Sequence, residues 1–441
     1  MRDVLLTVFF ICLIPAMLKR PWVGILVLAW LSYMNPQRLC YSFAEFGIPF
    51  YKMAAGLTML SALMYGQRMN IPWTSETILL ALFSFWTSFT TLFATNQHSV
   101  EMWLRVLSIQ ISIFMTLMLI RDPLQLRWLI WVIVLSLDFY GFKGGLFTIV
   151  TGGGGHVIGP RASFIADNNA LALALSTSIP LLRYLQITTP HRLVRLAMGG
   201  GMGLTAAAIV GTFSRGGLLA LATTTFLLVL KSKSKFVFAV LGVVIGIGIA
   251  SVMPKEWFDR MKTIETYDKD GSVRGRFEQW QFAIKLANDR PLTGGGFEAF
   301  DKASTDLRAE YAAANTSVRD AHSIYFKVLG EHGYVGLIIF LSLGLSAYFS
   351  GGWIKRATRG HPDLAWASDL ASICQVSLIT YAVGGAFLGM AYFDLPYHII
   401  AFIVLTKTFV RAELAEKRAE ARREETPRQW LTPAGVAPAQ A

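Results

Sequence analysis

Long apolar segments recur from end to end of this 441-residue chain and constrain its fold more than any other feature. Roughly twenty apolar residues are enough for a helix to cross a bilayer. Many of the segments approach that length, well beyond the roughly ten-residue alternating segments of a membrane β-barrel. The composition agrees, because 54% of the residues are hydrophobic and only 15% are charged. The sequence therefore predicts an all-α, polytopic integral membrane protein.

About twelve segments qualify as transmembrane helices by length and hydropathy. We predict transmembrane helices in residues 1–253 and 325–410, and a cytoplasmic tail at 411–441. Between them, residues 254–324 are predicted to form one large periplasmic loop that contains amphipathic helices and part of the functional site. A further apolar run at 4–18 can cross fully, tilt or re-enter. No small-residue cleavage site follows it, so we interpret it as retained.

Basic clusters orient these segments, because Lys and Arg collect in short cytoplasmic loops. The clusters at 231–235 and 355–359 are therefore predicted to lie inside, and alternation places 151–166, 254–324 and 389–394 outside. The net charge of +12 is explained by this flanking pattern, and no nucleic-acid partner is expected. The three cysteines are odd in number and lack metal-ligand spacing, so neither a disulfide framework nor a structural metal is predicted.

Two arginines run against the charge rule, because Arg161 and Arg215 fall in short loops predicted to be outside. Such residues suggest an anionic partner on that side. Arg161 precedes Asp167, which can cap the following helix, and a helix N-terminus beside a guanidinium suits a phosphate. Arg161 can instead pair with Asp167 or with lipid head groups. Arg215 lies in a tight turn before Gly216 and can also be a structural helix-end residue.

The predicted outer loop contains one clear amphipathic helix, with Phe277, Trp280 and Ile284 on one face. We expect this helix to lie on the outer membrane surface. Arg274 and Arg276 open it and can contact a lipid diphosphate, although either can equally be a solvated surface arginine. Three glycines at 294–296 then predict a tight bend.

His322 lies where the loop re-enters the membrane. With Asp320 as a cap, His322 is predicted in the first helical turn, where the helix dipole disfavours imidazolium. A neutral imidazole can accept a proton. The alternative is an ordinary interfacial side chain.

Several further polar residues are weaker candidates. Lys143 can bind phosphate or form an intramembrane ion pair with Asp138. Asp394 and Tyr392, in the last outer turn, can give polar support.

Two polar segments are interpreted mainly as loops. Asp268-Lys269-Asp270 resembles the paired carboxylates of metal-dependent sugar-nucleotide transferases, but a turn is the favoured reading. The glycine run at 152–155 is interpreted as a flexible outer loop rather than a phosphate cradle.

Ordered groups of residues in the central and C-terminal parts carry a family resemblance. They are Ser214-Arg215-Gly216-Gly217, Gly275-Arg276 with Trp280, Arg290-Pro291-Leu292-Thr293-Gly294-Gly295-Gly296 with Phe300, and Asp320-Ala321-His322-Ser323-Ile324-Tyr325 followed by Leu329, Glu331, Gly333 and Gly336. Together they resemble the O-antigen ligase and O-antigen polymerase superfamily. Met34-Asn35-Pro36-Gln37-Arg38 and Lys143-Gly144-Gly145 look like its ligase branch. Ser323 departs from the pattern, because many relatives carry asparagine there.

The resemblance implies an O-antigen ligase of the bacterial inner membrane, a multi-pass glycosyltransferase with its active site facing the periplasm. It would move O-antigen polysaccharide from undecaprenyl diphosphate to a lipid A–core acceptor, without metal or cofactor and with inversion. Membrane lipids are further expected partners. The residues assigned to catalysis are His322 and Arg215, and those assigned to substrate binding are Arg161, Arg274, Arg276, Lys143, Tyr325 and Asp394.

Two other functions remain open at this stage. A polymerase would use the same site with a second lipid-linked repeat as acceptor. A transporter or flippase would place its substrate site near the midplane between repeated halves. The sequence shows no convincing internal repeat, and its candidate polar groups gather at the outer face, so an interfacial enzyme is favoured.

Overall fold

The computed structural model describes residues 1–425 apart from 67–69, 95, 97, 233–234, 263–270, 302–306, 308–310 and 312–319. At 45–46, 237–239, 241, 244–245, 249–250, 262, 271–274 and 424–425 it describes the backbone alone. Within this part of the chain, all the regular secondary structure is helical.

Sixteen α-helices are defined in the described residues, together with short 3₁₀ helices at Pro36–Leu39 and Pro362–Leu364. The α-helices are Arg2–Lys19 (α1), Pro21–Tyr33 (α2), Phe43–Phe46 (α3), Phe50–Met64 (α4), Ser75–Thr91 (α5), Ser99–Leu119 (α6), Pro123–Thr151 (α7), Asn168–Thr188 (α8), Arg192–Gly211 (α9), Arg215–Lys231 (α10), Lys235–Val252 (α11), Lys255–Lys262 (α12), Gly271–Asp289 (α13), Ile324–Ala357 (α14), Ala365–Gly385 (α15) and Asp394–Glu425 (α16).

Five helices in the described part are long and apolar enough to cross a membrane, namely α6, α7, α8, α9 and α14. Helices α2 and α4 are also apolar but shorter. The prediction of an all-helical membrane protein is thus confirmed in its main feature. The count of about twelve spans, the outward placement of 254–324 and the domain limits stay predictions.

Helix α8 forms the centre of the bundle. Most of its side chains between Ala170 and Leu185 are buried, and it packs on α9, α10 and α15. Helix α14 packs on α5, α13, α15 and α16. A helix enclosed on most sides needs no continuous polar face, which explains why the buried side chains of α8 are apolar or hydroxylated.

Small and hydroxylated residues let α7 and α9 approach closely. A Cβ atom added to Gly145 would lie 2.0 Å from the carbonyl oxygen of Leu204, so only glycine fits this crossing. The buried carboxylate of Asp138, on α7, accepts hydrogen bonds from Ser178 (3.1 Å) and Thr205 (3.0 Å). Lys143 is exposed on the same helix. The ion pair expected between Asp138 and Lys143 is therefore wrong, because Asp138 takes neutral partners on α8 and α9.

Helix α14 is broken at Gly333, where φ is 68° and the backbone is not helical. The glycine-rich segment that follows α13 docks at this break. Gly295 and Gly296 donate backbone hydrogen bonds to the carbonyl oxygens of Gly330 and Glu331, each at 2.9 Å. The tight bend predicted from the glycines is present, and it attaches the segment to α14.

Helix α13 is present as predicted, and it also packs on the protein through apolar residues outside the predicted stripe. Phe282 and Leu286 are buried in a cluster with Phe300, whereas Phe277 and Ile284 are 52% and 39% exposed. Periodicity identifies residues that share a face, but not which face meets the protein. The expected location of α13 on the membrane surface therefore has to accommodate tight packing of its other face against α14.

Candidate active site

The N-termini of α8 and α10 lie side by side and are tied together by capping residues. The Asp167 carboxylate accepts hydrogen bonds from the first backbone N–H groups of α8, as the sequence predicted. Ser214 caps α10 by accepting from Gly217 (3.0 Å), and its hydroxyl donates to Asn169 (2.7 Å). The Asn168 amide donates to the carbonyl oxygen of Thr212 (2.7 Å). Two helix N-termini, each with a positive partial charge, thus meet at one end of the bundle.

Arg215 is the first residue of α10 and is half-buried. The glycine after it permits a close contact, because a Cβ atom on Gly216 would lie 3.3 Å from Leu388 in the connection between α15 and α16. Arg215 stands where the α10 N-terminus meets this connection.

His322 lies two residues before α14, not inside its first turn. Its φ of 45° is in the left-handed region, and its backbone N–H donates to Asp320 (3.3 Å). The expected first-turn position is therefore wrong, because Asp320 holds a turn ahead of the helix instead of capping it. The His322 imidazole is 40% exposed, and its Nδ1 atom lies 3.7 Å from Asp320 Oδ2.

Asp320 links this turn to α14 and to the α15–α16 connection. Lys327 donates to its Oδ1 atom at 2.9 Å. Burial tends to raise the pKa of the Asp320 carboxyl, but the Lys327 ammonium and His322 outweigh burial and hold that pKa below its ordinary value. A Cβ atom on Gly389 would lie 2.0 Å from Asp320 Oδ2, so the connection passes this carboxylate without room for a side chain.

Arg215 and His322 are therefore brought to the same region through consecutive residues of one connection. Leu388 packs on the turn that carries Arg215, and Gly389 packs on the turn that carries His322. These two predicted residues are separated by about a hundred positions in the sequence. The connection at 386–393 is the element that unites them.

Helix α13 reaches the same region through Trp280. The indole N–H donates to the carbonyl oxygen of Ala321 (3.0 Å), and the ring stacks on Phe326 at 4.8 Å between centroids. Arg276 lies four residues before Trp280 and so on the same face of the helix, and it is half-buried. The side chain of Arg274 and the segment Asp268-Lys269-Asp270 lie outside the described residues.

Two other predicted site residues, Arg161 and Asp394, lie at this end of the bundle but outside the group just described. Arg161 is exposed in the connection before α8, whose Asp167 carboxylate is used in capping. Asp394 is buried at the start of α16, where it accepts a hydrogen bond from Ser32. Its carboxylate lines a separate cavity.

Tyr325 belongs to the packing of α14 on α15, because its hydroxyl donates to the carbonyl oxygen of Ala382 at 2.8 Å. Its assignment to substrate binding stays a prediction, and so does that of Lys143, which is exposed.

Sequence reasoning missed a buried polar cluster beside the break in α14. The Glu331 carboxylate accepts hydrogen bonds from the backbone N–H of Glu298 (3.0 Å) and from the Tyr392 hydroxyl. His332 is fully buried, and its Nδ1 atom shares a 2.7 Å hydrogen bond with Thr90. A Glu-His pair inside an apolar helix was the available signal, since polar groups there need partners. This cluster fixes three elements around the site: the glycine-rich segment, α14 and the 386–393 connection.

Strained backbone is concentrated at this end of the bundle. A left-handed residue other than glycine costs roughly 1–2 kcal/mol, and such residues cluster at functional sites. The non-glycine residues with positive φ in the described part are Asn35, Ala162, Phe213, Glu298 and His322. Each lies in a connection on the side where α8, α10, α14 and α16 begin.

The arrangement suits binding of an anion next to a group that can accept a proton. Arginine guanidinium groups form bidentate, charge-assisted hydrogen bonds with phosphate, and helix N-termini add to them. Asp320 can orient the His322 imidazole and stabilise it when protonated. Among the described residues, no three His, Cys, Asp or Glu side chains group as metal ligands.

Fold and site together define a helical membrane protein with arginines and a histidine gathered at one end of its bundle. Residues 200–341 match the O-antigen ligase family, and residues 1–188 match a family of unknown function, DUF5935. The match to the O-antigen ligase family and the curated relative described next support a relation of the chain to the O-antigen ligase/polymerase superfamily.

A curated relative is similar over a limited region. The exopolysaccharide production protein ExoQ of Rhizobium meliloti (strain 1021) is 27% identical over 182 residues, or 39% of this chain. The match covers 37% of the length of that relative.

Proposed function

We propose that this protein is an O-antigen ligase that transfers a polysaccharide from undecaprenyl diphosphate to a lipid A–core acceptor at the periplasmic face of the inner membrane. The observation that carries the proposal is the meeting of the Arg215 and His322 turns on Leu388 and Gly389. Similarity to the O-antigen ligase family supports the class of reaction.

In this reaction, the acceptor hydroxyl oxygen attacks the anomeric carbon of the donor sugar. The bond between that carbon and the diphosphate oxygen breaks, and its electron pair leaves with the polyprenyl diphosphate. Attack from the opposite face inverts the anomeric configuration. The protein then has two tasks, which are to stabilise the leaving diphosphate and to accept the hydroxyl proton.

Arg215 and Arg276 are assigned to the diphosphate, with Arg161 and Arg274 as further cations on the same side. Fixed guanidinium groups at a site of reduced dielectric stabilise the developing negative charge without reorganising. No metal ion or cofactor is needed for a leaving group that already carries stable charge.

His322 is assigned as the base. Its exposed imidazole takes the hydroxyl proton, and the Asp320 carboxylate, 3.7 Å from Nδ1, stabilises the resulting imidazolium. The left-handed turn before α14 holds the ring at the protein surface instead of within the helix.

The test is transfer by purified protein from undecaprenyl-diphosphate-linked glycan to lipid A–core, with a chelator present. His322→Ala is expected to lose transfer, while His191→Ala, an exposed histidine at the start of α9, retains it. Persistent transfer by His322→Ala would exclude His322 as the base. Loss of transfer in chelator would exclude the metal-independent reaction.

A second candidate is a polymerase that extends the glycan on a lipid-linked acceptor. It is favoured by the match to a relative named for exopolysaccharide production. Replacing lipid A–core with a second undecaprenyl-diphosphate-linked repeat in the same assay separates the two, because a ligase and a polymerase differ in which acceptor gives product.

A further inference from the structure

The cavity that Asp394 lines has a volume of about 770 Å³ and lies beside the candidate active site. Its walls come from the ends of α2 and the 3₁₀ helix Pro36–Leu39, the start of α4, one face of α6, residues 162–165, and Phe393 with Asp394. All of its lining residues except Phe393 and Asp394 lie within residues 1–188, the region that matches a family of unknown function.

The lining carries more positive than negative charge. Three cations face it, namely Arg38, Lys52 and Arg105, against the carboxylates of Glu101 and Asp394. Glu101 lies 3.8 Å from Arg105 on the same helix, and Asp394 is buried and hydrogen-bonded to Ser32. The three cations and two carboxylates together give the lining a small net positive charge, and this favours an anion.

Local sequence explains how Arg38 reaches this wall. Asn35 follows α2 in the left-handed conformation, with φ of 47°, which asparagine tolerates better than most residues. Pro36 then starts the 3₁₀ helix, and Arg38 is its third residue. The chain is turned back across the end of α2 instead of continuing away from it.

Apolar side chains form one part of the remaining lining, including Leu31, Ile48, Phe50, Leu104 and Ile109, beside polar residues such as Ser32, Asn35 and Gln37. A cavity with cations beside an apolar wall suits a molecule that has an anionic head and a hydrocarbon part. A soluble sugar or a free inorganic ion uses only one of these two surfaces.

The cavity adjoins the candidate active site at two places. Residues 162–165 directly follow Arg161, and Phe393 with Asp394 ends the same connection that holds Leu388 and Gly389. A transfer between two lipid-linked molecules needs such a second binding place.

We propose that this cavity binds the phosphorylated lipid head group of the acceptor, separately from the donor diphosphate. The identification of this ligand as the acceptor rests on the proposed function. The binding itself can be tested without any transfer. Lys52 and Arg38 supply the charge, and the apolar wall receives the start of the acyl chains.

Direct binding is measured with purified full-length protein in detergent, with bisphosphorylated lipid A as the probe. Lys52→Glu is expected to raise the Kd roughly tenfold or more, the effect of losing and reversing one charged contact. The matched control is Arg192→Glu, an exposed arginine at the opposite end of the bundle, with a change below about twofold. An unchanged Kd for Lys52→Glu overturns the proposal.

Two comparison probes define the ligand chemistry. Lipid A stripped of its phosphates is expected to bind at least roughly tenfold more weakly, and equal binding would overturn recognition of the anionic head. Inorganic phosphate alone is expected not to displace the lipid at equal concentration. Displacement by phosphate at that concentration would show a free-phosphate site and overturn the lipid assignment.

Kinetics separate this inference from the proposed function. If transfer is observed, Lys52→Ala is expected to raise the acceptor KM roughly tenfold with little change in the donor KM. A rise confined to the donor KM would overturn the inference and leave the ligase intact. If wild-type protein transfers nothing, the proposed function fails, and the lipid A binding measurements still decide the cavity.

Discussion

The two ends of the helix bundle differ in how they place charged side chains and in which residues reverse the chain. At the end opposite to His322, left-handed turns in the described part fall on glycines, such as Gly66 and Gly360. There too, Lys407 pairs with Glu76 at 3.4 Å and donates to Ser350 at 2.8 Å. At the end that carries His322, left-handed positions in the described part include five residues other than glycine. One of these five, His322, is the proposed base, so backbone strain at this end includes a residue with a proposed role.

The largest expected effect comes from replacing His322 by glycine, which removes the imidazole and the backbone strain together. We expect transfer to fall by about 10²- to 10⁴-fold, the usual contribution of a general base. The free energy of unfolding should change by less than about 1 kcal/mol, because relief of the left-handed strain offsets the greater freedom of the unfolded glycine. His322→Ala should lose as much transfer as His322→Gly and should be less stable than His322→Gly. Thermal unfolding and the transfer assay measure the two quantities. Glycine and alanine variants of equal stability would show that no strain is stored there.

The next effect concerns the opposite end. Lys407→Met leaves the Glu76 carboxylate buried without its cation, and we expect a loss of roughly 3–5 kcal/mol of stability. Transfer per folded molecule should be unchanged, because the pair lies far from the candidate active site. Measuring unfolding in detergent and transfer normalised to folded protein checks both parts. A loss of specific transfer with normal stability would break the division between the two ends.

A smaller effect is expected for Gly389→Ala. The new methyl group would start 2.0 Å from Asp320, so the connection or the carboxylate has to move, at a cost of roughly 1–3 kcal/mol. Gly344→Ala is the matched control, since nothing lies within 4 Å of its added Cβ and alanine is the better helix former. Transfer should drop in Gly389→Ala alone. Equal behaviour of the two variants would mean that the 386–393 connection does not set the site geometry.

The smallest effect is the pH dependence of the Asp320–Lys327 pair. The pKa of Asp320 is lowered in the folded protein, so its stabilisation is complete above its ordinary value of 3.8 and is lost as pH falls through the lower folded value. Asp320→Asn should therefore be less stable than wild type by about 1 kcal/mol near pH 6, and the difference should shrink as the pH falls below the ordinary pKa of 3.8. Unfolding in denaturant, measured near pH 6 and at acid pH, gives the comparison. A difference that grows in acid would contradict the lowered pKa.

Local signals in the sequence predicted much of the helix geometry. The Asp167 cap and the glycine-rich bend before α14 were identified correctly, because caps and left-handed turns depend on a few neighbouring residues. The face of α13 that packs, and the position of His322 outside α14, were not. Both depend on distant elements, since the partner of Trp280 is the Ala321 carbonyl 41 positions later.

The residues of the candidate site were predicted from the sequence, but the elements that hold them together were not. Arg215 and His322 were named from motifs and alternation, yet the connection that joins them was given only as a turn with polar support. The cluster of Glu331, His332, Tyr392 and Thr90 was missed, because its members are distant in sequence: Thr90 and His332 are 242 positions apart, and Glu331 and Tyr392 are 61 apart. Hydropathy identifies each helix separately and contains no information on which polar side chains will meet.

The 386–393 connection also has a consequence for the order in which the protein is made. Chains are synthesised from the N-terminus, and early helices enter the membrane before later ones exist. Arg215, His322 and the cations of the cavity all come before Leu388, Gly389 and Asp394 in the sequence. A nascent chain that stops short of this connection therefore holds every proposed catalytic group and still lacks the part that unites them. We therefore expect competence for the proposed transfer to depend on completion of the 386–393 connection and of α16.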